Sequence, residues 1–148
     1  MKFNKEVLEQ SIIEISYSFR DEIFYSEITV ISDYAINVIE KDVNIFKLFT
    51  KIQNTLTYSI EQLRDISVEY FDVENEEKRC NIQNFNLVLL ENMNFVFEYD
   101  SLREIYIATM YVDYAEENEE FVGESDSLEK TFQMLINKFQ LEKTYRLW

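Results

Sequence analysis

Residues 93–99 read Met93-Asn94-Phe95-Val96-Phe97-Glu98-Tyr99, with Phe95, Phe97 and Tyr99 on one parity and Asn94, Val96 and Glu98 on the other. A period of two is that of a strand. Large aromatic residues on one side and a mixed set on the other mark a sheet with one buried and one wet face. A sheet of this kind needs helices on one side only, and that requirement decides the fold class.

Working outward, Asn81–Glu91 and Glu104–Tyr114 have the same strand character, and Val68 and Tyr70 alternate with Glu69 and Phe71 ahead of a polar turn at Glu74–Lys78. The connections Glu91-Asn92 and Asp100-Ser101-Leu102 are short enough for hairpins, and Asn and Asp tolerate the left-handed backbone that glycine usually supplies. The expectation is a four-stranded antiparallel meander over about residues 67–114.

On either side the spacing turns helical. Phe46, Phe49, Leu56, Ile60 and Leu63 recur at intervals of three, four or seven, giving a helix from Asp42 to Leu63 with Asp42 or Asn44 as its N-cap. Ser32 or Asp33 could cap a shorter helix through Ala35, Val38 and Ile39. In the first thirty residues Leu8, Ile12, Ile15 and Phe19 fit a helix face, while Ile13, Ile15, Tyr17 and Phe19 fit a strand and Glu27–Ile31 is β-branched. We place a helix through about Tyr17. Asp126 with Glu129 three residues later reads as a capping box, opening a helix over about 127–141 on Leu128, Phe132, Leu135, Ile136 and Phe139. The fold class is therefore α+β: N-terminal helices, the meander and a closing helix, in one domain of residues 1–148.

Charge is the feature that bears on function. Twenty-nine Asp and Glu stand against fourteen Lys and Arg, a net charge of −15. Residues 1–66 hold eleven acids and seven bases, residues 67–129 seventeen and three, and residues 130–148 one and four, so the excess belongs to the central segment. A nucleic-acid backbone or an anionic membrane surface would be repelled. The longest aliphatic run, Leu87 to Leu90, is too short to span a bilayer. A single cysteine, Cys80, forms no internal disulfide, and Glu6, Glu9 and Glu14 interrupt any signal-peptide core, which points to a cytoplasmic protein.

Absent residues exclude chemistries. One Gly, no Pro and no His leave no phosphate-binding glycine loop, no dinucleotide fingerprint, no nucleophile elbow and no histidine base. A zinc site of standard composition cannot be assembled. The acidic run from Asp72 lacks the glycine and the terminal glutamate of a calcium loop, with Gln83 at its twelfth position, and in Asp113–Glu120 Ala115 falls at a ligand position. No spacing singles out a catalytic carboxylate pair. We expect no enzyme, no metal and no cofactor.

The remaining candidate is a contact surface. Tyr111, Asp113, Tyr114, Glu116, Glu117, Glu119 and Glu120, with Glu124 close behind, set two tyrosines among carboxylates at the end of an expected strand. Such a run is often only a solvated loop. Tyrosine, however, supplies rigid contact area, and carboxylates pair with Lys and Arg and steer encounter with a basic partner. Trp148 ends the sequence, either packed on the closing helix or exposed as an anchor. In overall charge balance the chain is similar to immunity proteins that neutralise nuclease toxins. The resemblance is one of composition and carries over no motif or residue. It implies a small acidic inhibitor of a basic protein, with no direct contact to nucleic acid. The alternatives are a phage-type DNA mimic that blocks restriction or CRISPR enzymes, and a non-enzymatic adaptor with a solubilising acidic surface.

Overall fold

The computed structural model describes residues 3–18, 20–32, 35–66, 93–113 and 118–146, with side chains from 119 to 139 in the last segment. A six-stranded antiparallel sheet has the order β3-β2-β1-β4-β5-β6. Its strands are β1 (Ser11–Ser18), β2 (Ile23–Ile31), β3 (Ala35–Asp42), β4 (Met93–Asp100), β5 (Ile105–Asp113) and β6 (Asn118–Ser125). Helices α1 (Lys5–Glu9), α2 (Ile45–Thr55), α3 (Ile60–Ile66) and α4 (Leu128–Arg146) complete the described part. The α+β class and the one-sided sheet are as expected from 93–99, while the sheet among the described residues has six strands and not four.

The first correction is at the N-terminus. The expected helix through Tyr17 stops at Glu9, and Ser11–Ser18 is a central strand between β2 and β4. Ile13 lies opposite Ile28 on one side and Phe97 on the other, and Ile15 opposite Ser26 and Phe95. Ile12 on the opposite face completes a false helical spacing with Leu8 and Ile15. The helix expected through Ala35, Val38 and Ile39 is likewise a strand: Ile36 and Val38 point into the core and Ala35, Asn37 and Ile39 away from it.

The helix expected over 42–63 is two helices. Asn44 caps α2, its side chain accepting from the amides of Phe46 at 2.9 Å and Lys47 at 3.2 Å. After Thr55 the chain turns, and α3 opens with a reciprocal capping box: the Ser59 amide donates to Gln62 Oε1 at 2.9 Å and the Gln62 amide to Ser59 Oγ at 3.2 Å. At α4 the cap is Ser127, which accepts from the Lys130 amide at 3.1 Å, and Asp126 instead pairs with the Lys130 ammonium. The acidic run is a strand from Asn118 onward, since Phe121 enters the core and Gly123 lies against Leu135. Expected strands at 68–71 and 81–91 lie outside the described residues, as do Cys80 and Trp148.

All four described helices contact the sheet or its ends, α2 over β2 and β3 and α4 over β5 and β6. Between them Phe132 lies 4.8 Å from Phe95 and 5.4 Å from Phe49, ring centre to ring centre, with Phe49 6.2 Å from Phe97. These fully buried rings join both long helices to β4. The outer strands are each held from the helical layer by a lysine. Lys51 Nζ donates to the Lys41 carbonyl of β3 at 2.6 Å, and Lys138 Nζ donates to the Val122 carbonyl of β6. A cation on the carbonyls of an edge strand opposes pairing with another chain.

Candidate docking face of the sheet

Strand parity assigns every side chain to one of two faces. The positions paired with the core residues lie under the helices. The other parity is largely uncovered by the described elements, with Lys41 at the β3 end buried over the Tyr25 ring, and pairing registers place its residues in rows across the sheet. One row runs Lys41, Tyr25, Ser16, Asn94, Tyr111, Glu120; the next runs Ile39, Glu27, Glu14, Val96, Thr109, Val122; a third runs Asn37, Thr29, Ile12, Glu98, Ile107, Glu124.

This face mixes apolar area with negative charge. Ile31 is 54% exposed, Val122 51%, Tyr111 43% and Ile39 38%. Among them stand Glu14, Glu27, Glu98 and Glu120, none of which has an ion-pair partner among the described residues. Glu14 and Glu27 are directly opposite one another on β1 and β2 and border a depression of ≈ 190 Å³ with Ser16, Tyr25 and Ile39. Like charges in that relationship repel across about 5 Å, a cost to the fold that no ion pair among the described residues offsets.

At one corner the charge is organised. In the β4–β5 turn Asp100 accepts from the amides of Leu102 at 3.0 Å and Arg103 at 3.3 Å and from Arg103 Nε at 2.9 Å. Arg103 reaches across to Glu124 at 3.2 Å. Hydrogen bonding to Arg103 holds the Asp100 carboxyl below the usual carboxylate range, and the same contacts raise the guanidinium. Nearby, the Tyr99 phenol is pushed up first by desolvation and then by the carboxylates of Glu104, Glu9 and Asp100.

The residues singled out from the sequence are divided by the fold. Tyr111, Asp113, Glu120 and Glu124 share the uncovered face, with Tyr111 directly beside Glu120. Glu119 takes the opposite parity, beside Val112, and is half-buried on the helical side. Tyr114, Glu116 and Glu117 lie outside the described residues. Sequence reasoning missed Glu14, Glu27, Ile31, Ile39 and Val122; the alternation Ile13-Glu14-Ile15 carried the signal, and the competing helical spacing hid it.

No family model, curated protein or solved structure matches this chain. Among the described residues no group of three or more acidic or cysteine side chains could hold a metal ion, and no helix is long and apolar enough to cross a membrane.

Proposed function

We propose that the protein is a small acidic inhibitor that works by binding, not catalysis, docking the uncovered face of its sheet on a basic surface of a partner protein. The closest functional type is an immunity protein that neutralises a toxin such as a nuclease. The observation that carries this reading is the composition of one face: exposed Ile31, Ile39, Val122 and Tyr111 interleaved with the uncompensated carboxylates of Glu14, Glu27 and Glu120. A face kept acidic for solubility alone has no use for exposed aliphatic side chains between its charges. Protein interfaces use both, apolar area for affinity and charge for steering and register.

A second copy of the chain is a poor occupant, because two faces of the same sign would meet. The same interleaving favours a protein surface over mimicry of a DNA duplex, whose charges follow two continuous backbones with no apolar area between them. The test is purification from the producing cells at low and then moderate salt. A basic protein retained at low salt and released as salt rises supports the reading. Failure to retain any basic protein, or retention indifferent to salt, overturns it.

A further inference from the structure

The two edges of the sheet are not protected alike. On β6 the lysine of the helical layer holds the carbonyl of Val122, inside the strand, and Glu120 and Glu124 charge the same edge. On β3 Lys51 holds only the Lys41 carbonyl, near the strand's end, and the residues before it, Ala35-Ile36-Asn37-Val38-Ile39, carry no charge and no proline. The direction of their peptide groups follows from the ladder. The Ile31 amide donates to the Gln10 carbonyl at 2.9 Å, so alternate residues of β2 counted from Ile31 turn their peptide groups to β1, and Val30, Ile28 and Ser26 turn theirs to Ile36, Val38 and Glu40 of β3. Ala35, Asn37, Ile39 and Lys41 are left with N–H and C=O directed outward, where Lys51 meets the Lys41 carbonyl. Nothing among the described residues pairs with the first three. An uncharged edge with open backbone groups is a template for another strand.

We propose that the β3 edge pairs with the β3 edge of a second copy of the chain, antiparallel about a two-fold axis at Asn37. The segment is complementary to itself in this register. Ala35 stands opposite Ile39 of the second copy, Asn37 opposite its own equivalent and Ile39 opposite Ala35, and each of these pairs exchanges both N–H···O bonds. The ladder ends before Lys41, whose carbonyl is taken. On the outer face the row across the junction runs Ile31, Ala35 and then Ile39 of the second copy, so the two exposed isoleucines close over a small alanine. On the helical side Ile36 meets Val38 of the second copy and continues the apolar parity of the core. The sheets join edge to edge, and their acidic faces lie side by side instead of meeting. Each chain carries a net charge of −15, so the dimer forms against long-range repulsion and salt strengthens it. That sign is opposite to the one expected of a complex with a basic partner.

The test is sedimentation of the full chain over a roughly hundredfold range of concentration at about 50 mM and about 500 mM salt, with hydrogen exchange of the backbone amides under the same conditions. The expected result is a monomer–dimer equilibrium at least about threefold tighter at the higher salt, with exchange at Ala35, Asn37 and Ile39 slowing as concentration rises. Asn37→Pro removes an outward N–H that β2 does not use, and Ile39→Lys sets a charge on the edge. Each is expected to weaken the dimer at least about tenfold with the fold kept. Gln133→Lys, the same change of charge at an exposed position of α4, does not weaken it. A monomer at every concentration and salt, association that weakens with salt, or association indifferent to both β3 substitutions overturns the proposal. So does protection of the three amides that arises only when the basic partner is added, which assigns the edge to a strand of that partner.

Discussion

Glu14 of β1 and Glu27 of β2 face each other directly across the middle of the uncovered sheet face, and no cation among the described residues pairs with either. Two carboxylates in cross-strand register cost stability, and in the proposed docking contact both would meet basic groups of the partner. Neutralising one separates the two effects. Glu14→Gln is expected to stabilise the fold by about 0.5 kcal/mol in urea denaturation while weakening the partner complex. A variant that is destabilised would show that the pair is held by interactions other than the repulsion described.

The aromatic junction is expected to be the costliest place to cut. Phe132 touches both Phe49 and Phe95 and is buried, so Phe132→Ala removes the link between α4, α2 and β4. A loss of about 3–5 kcal/mol is expected, and Phe132→Leu, which leaves a smaller void, loses less. Equal losses for the two variants would show that ring volume is not what joins the helices to the sheet.

Gly123 makes the opposite test. It sits mid-strand in β6, and a methyl built on it would stand 3.4 Å from Leu135, an ordinary contact, with no left-handed backbone to forbid it. Gly123→Ala is therefore expected to raise stability by about 0.5 kcal/mol by restricting the unfolded chain. Destabilisation would mean that α4 packs on β6 more tightly than that distance indicates.

Alkaline titration has a defined sign. Burial pushes the Tyr106 phenol from 10.0 up to about 12. A group whose folded value is raised contributes its stability in full below the unfolded value, and the contribution is lost as pH rises through the folded one. Stability is expected to fall between pH 10.0 and about 12 by at most about 2–3 kcal/mol on account of this residue, and the Tyr106→Phe variant to lack that component. Urea midpoints of the two proteins across this range check it. On the acid side the sign reverses. Asp100, depressed by Arg103, and Asp126, depressed by Lys130, contribute above 3.8, and the contribution is lost as pH falls through their folded values.

Both ends of the sheet's strand order carry a lysine from the helical layer, Lys51 on β3 and Lys138 on β6. Lys138→Ala is expected to leave the fold intact and to increase self-association, read by sedimentation at several concentrations. Unchanged sedimentation would assign protection of that edge to other groups.

What could be read from the sequence was set by how clearly one periodicity excluded the other. In β4 the aromatic parity of Phe95, Phe97 and Tyr99 has no helical counterpart, and it gave both the strand and its one-sided burial. The N-cap at Asn44 and the closing helix were legible for the same reason, a local residue with a local partner. In β1 isoleucines occupy both faces, so periods of two and of 3.6 fit together and only pairing with β2 and β4 decides between them. In β3 the inward parity runs on from Ile36 and Val38 into Glu40, whose carboxylate accepts from Thr55 at 2.8 Å, and Asp42, and two apolar inward residues are too few to show alternation. Of the candidate docking face, the pairing of Tyr111 with Glu120 joins residues near in sequence and was legible, while that of Glu14 with Glu27 depends on a register between strands and was not. The division of Glu119 from Glu120 follows from parity alone, once the acidic run is known to be a strand.

The docking face is tested most directly by comparing two triple charge reversals for affinity to the salt-sensitive partner. Glu14→Lys, Glu27→Lys and Glu120→Lys change the uncovered face, while Glu61→Lys, Asp65→Lys and Glu129→Lys make the same change of net charge at exposed positions on the helices. Long-range steering weakens both proteins alike, and contact weakens only the first. The account predicts a loss of at least about a hundredfold for the face variant and less than about threefold for the helix variant, with both still folded. Equal losses, or a larger loss for the helix variant, would contradict it.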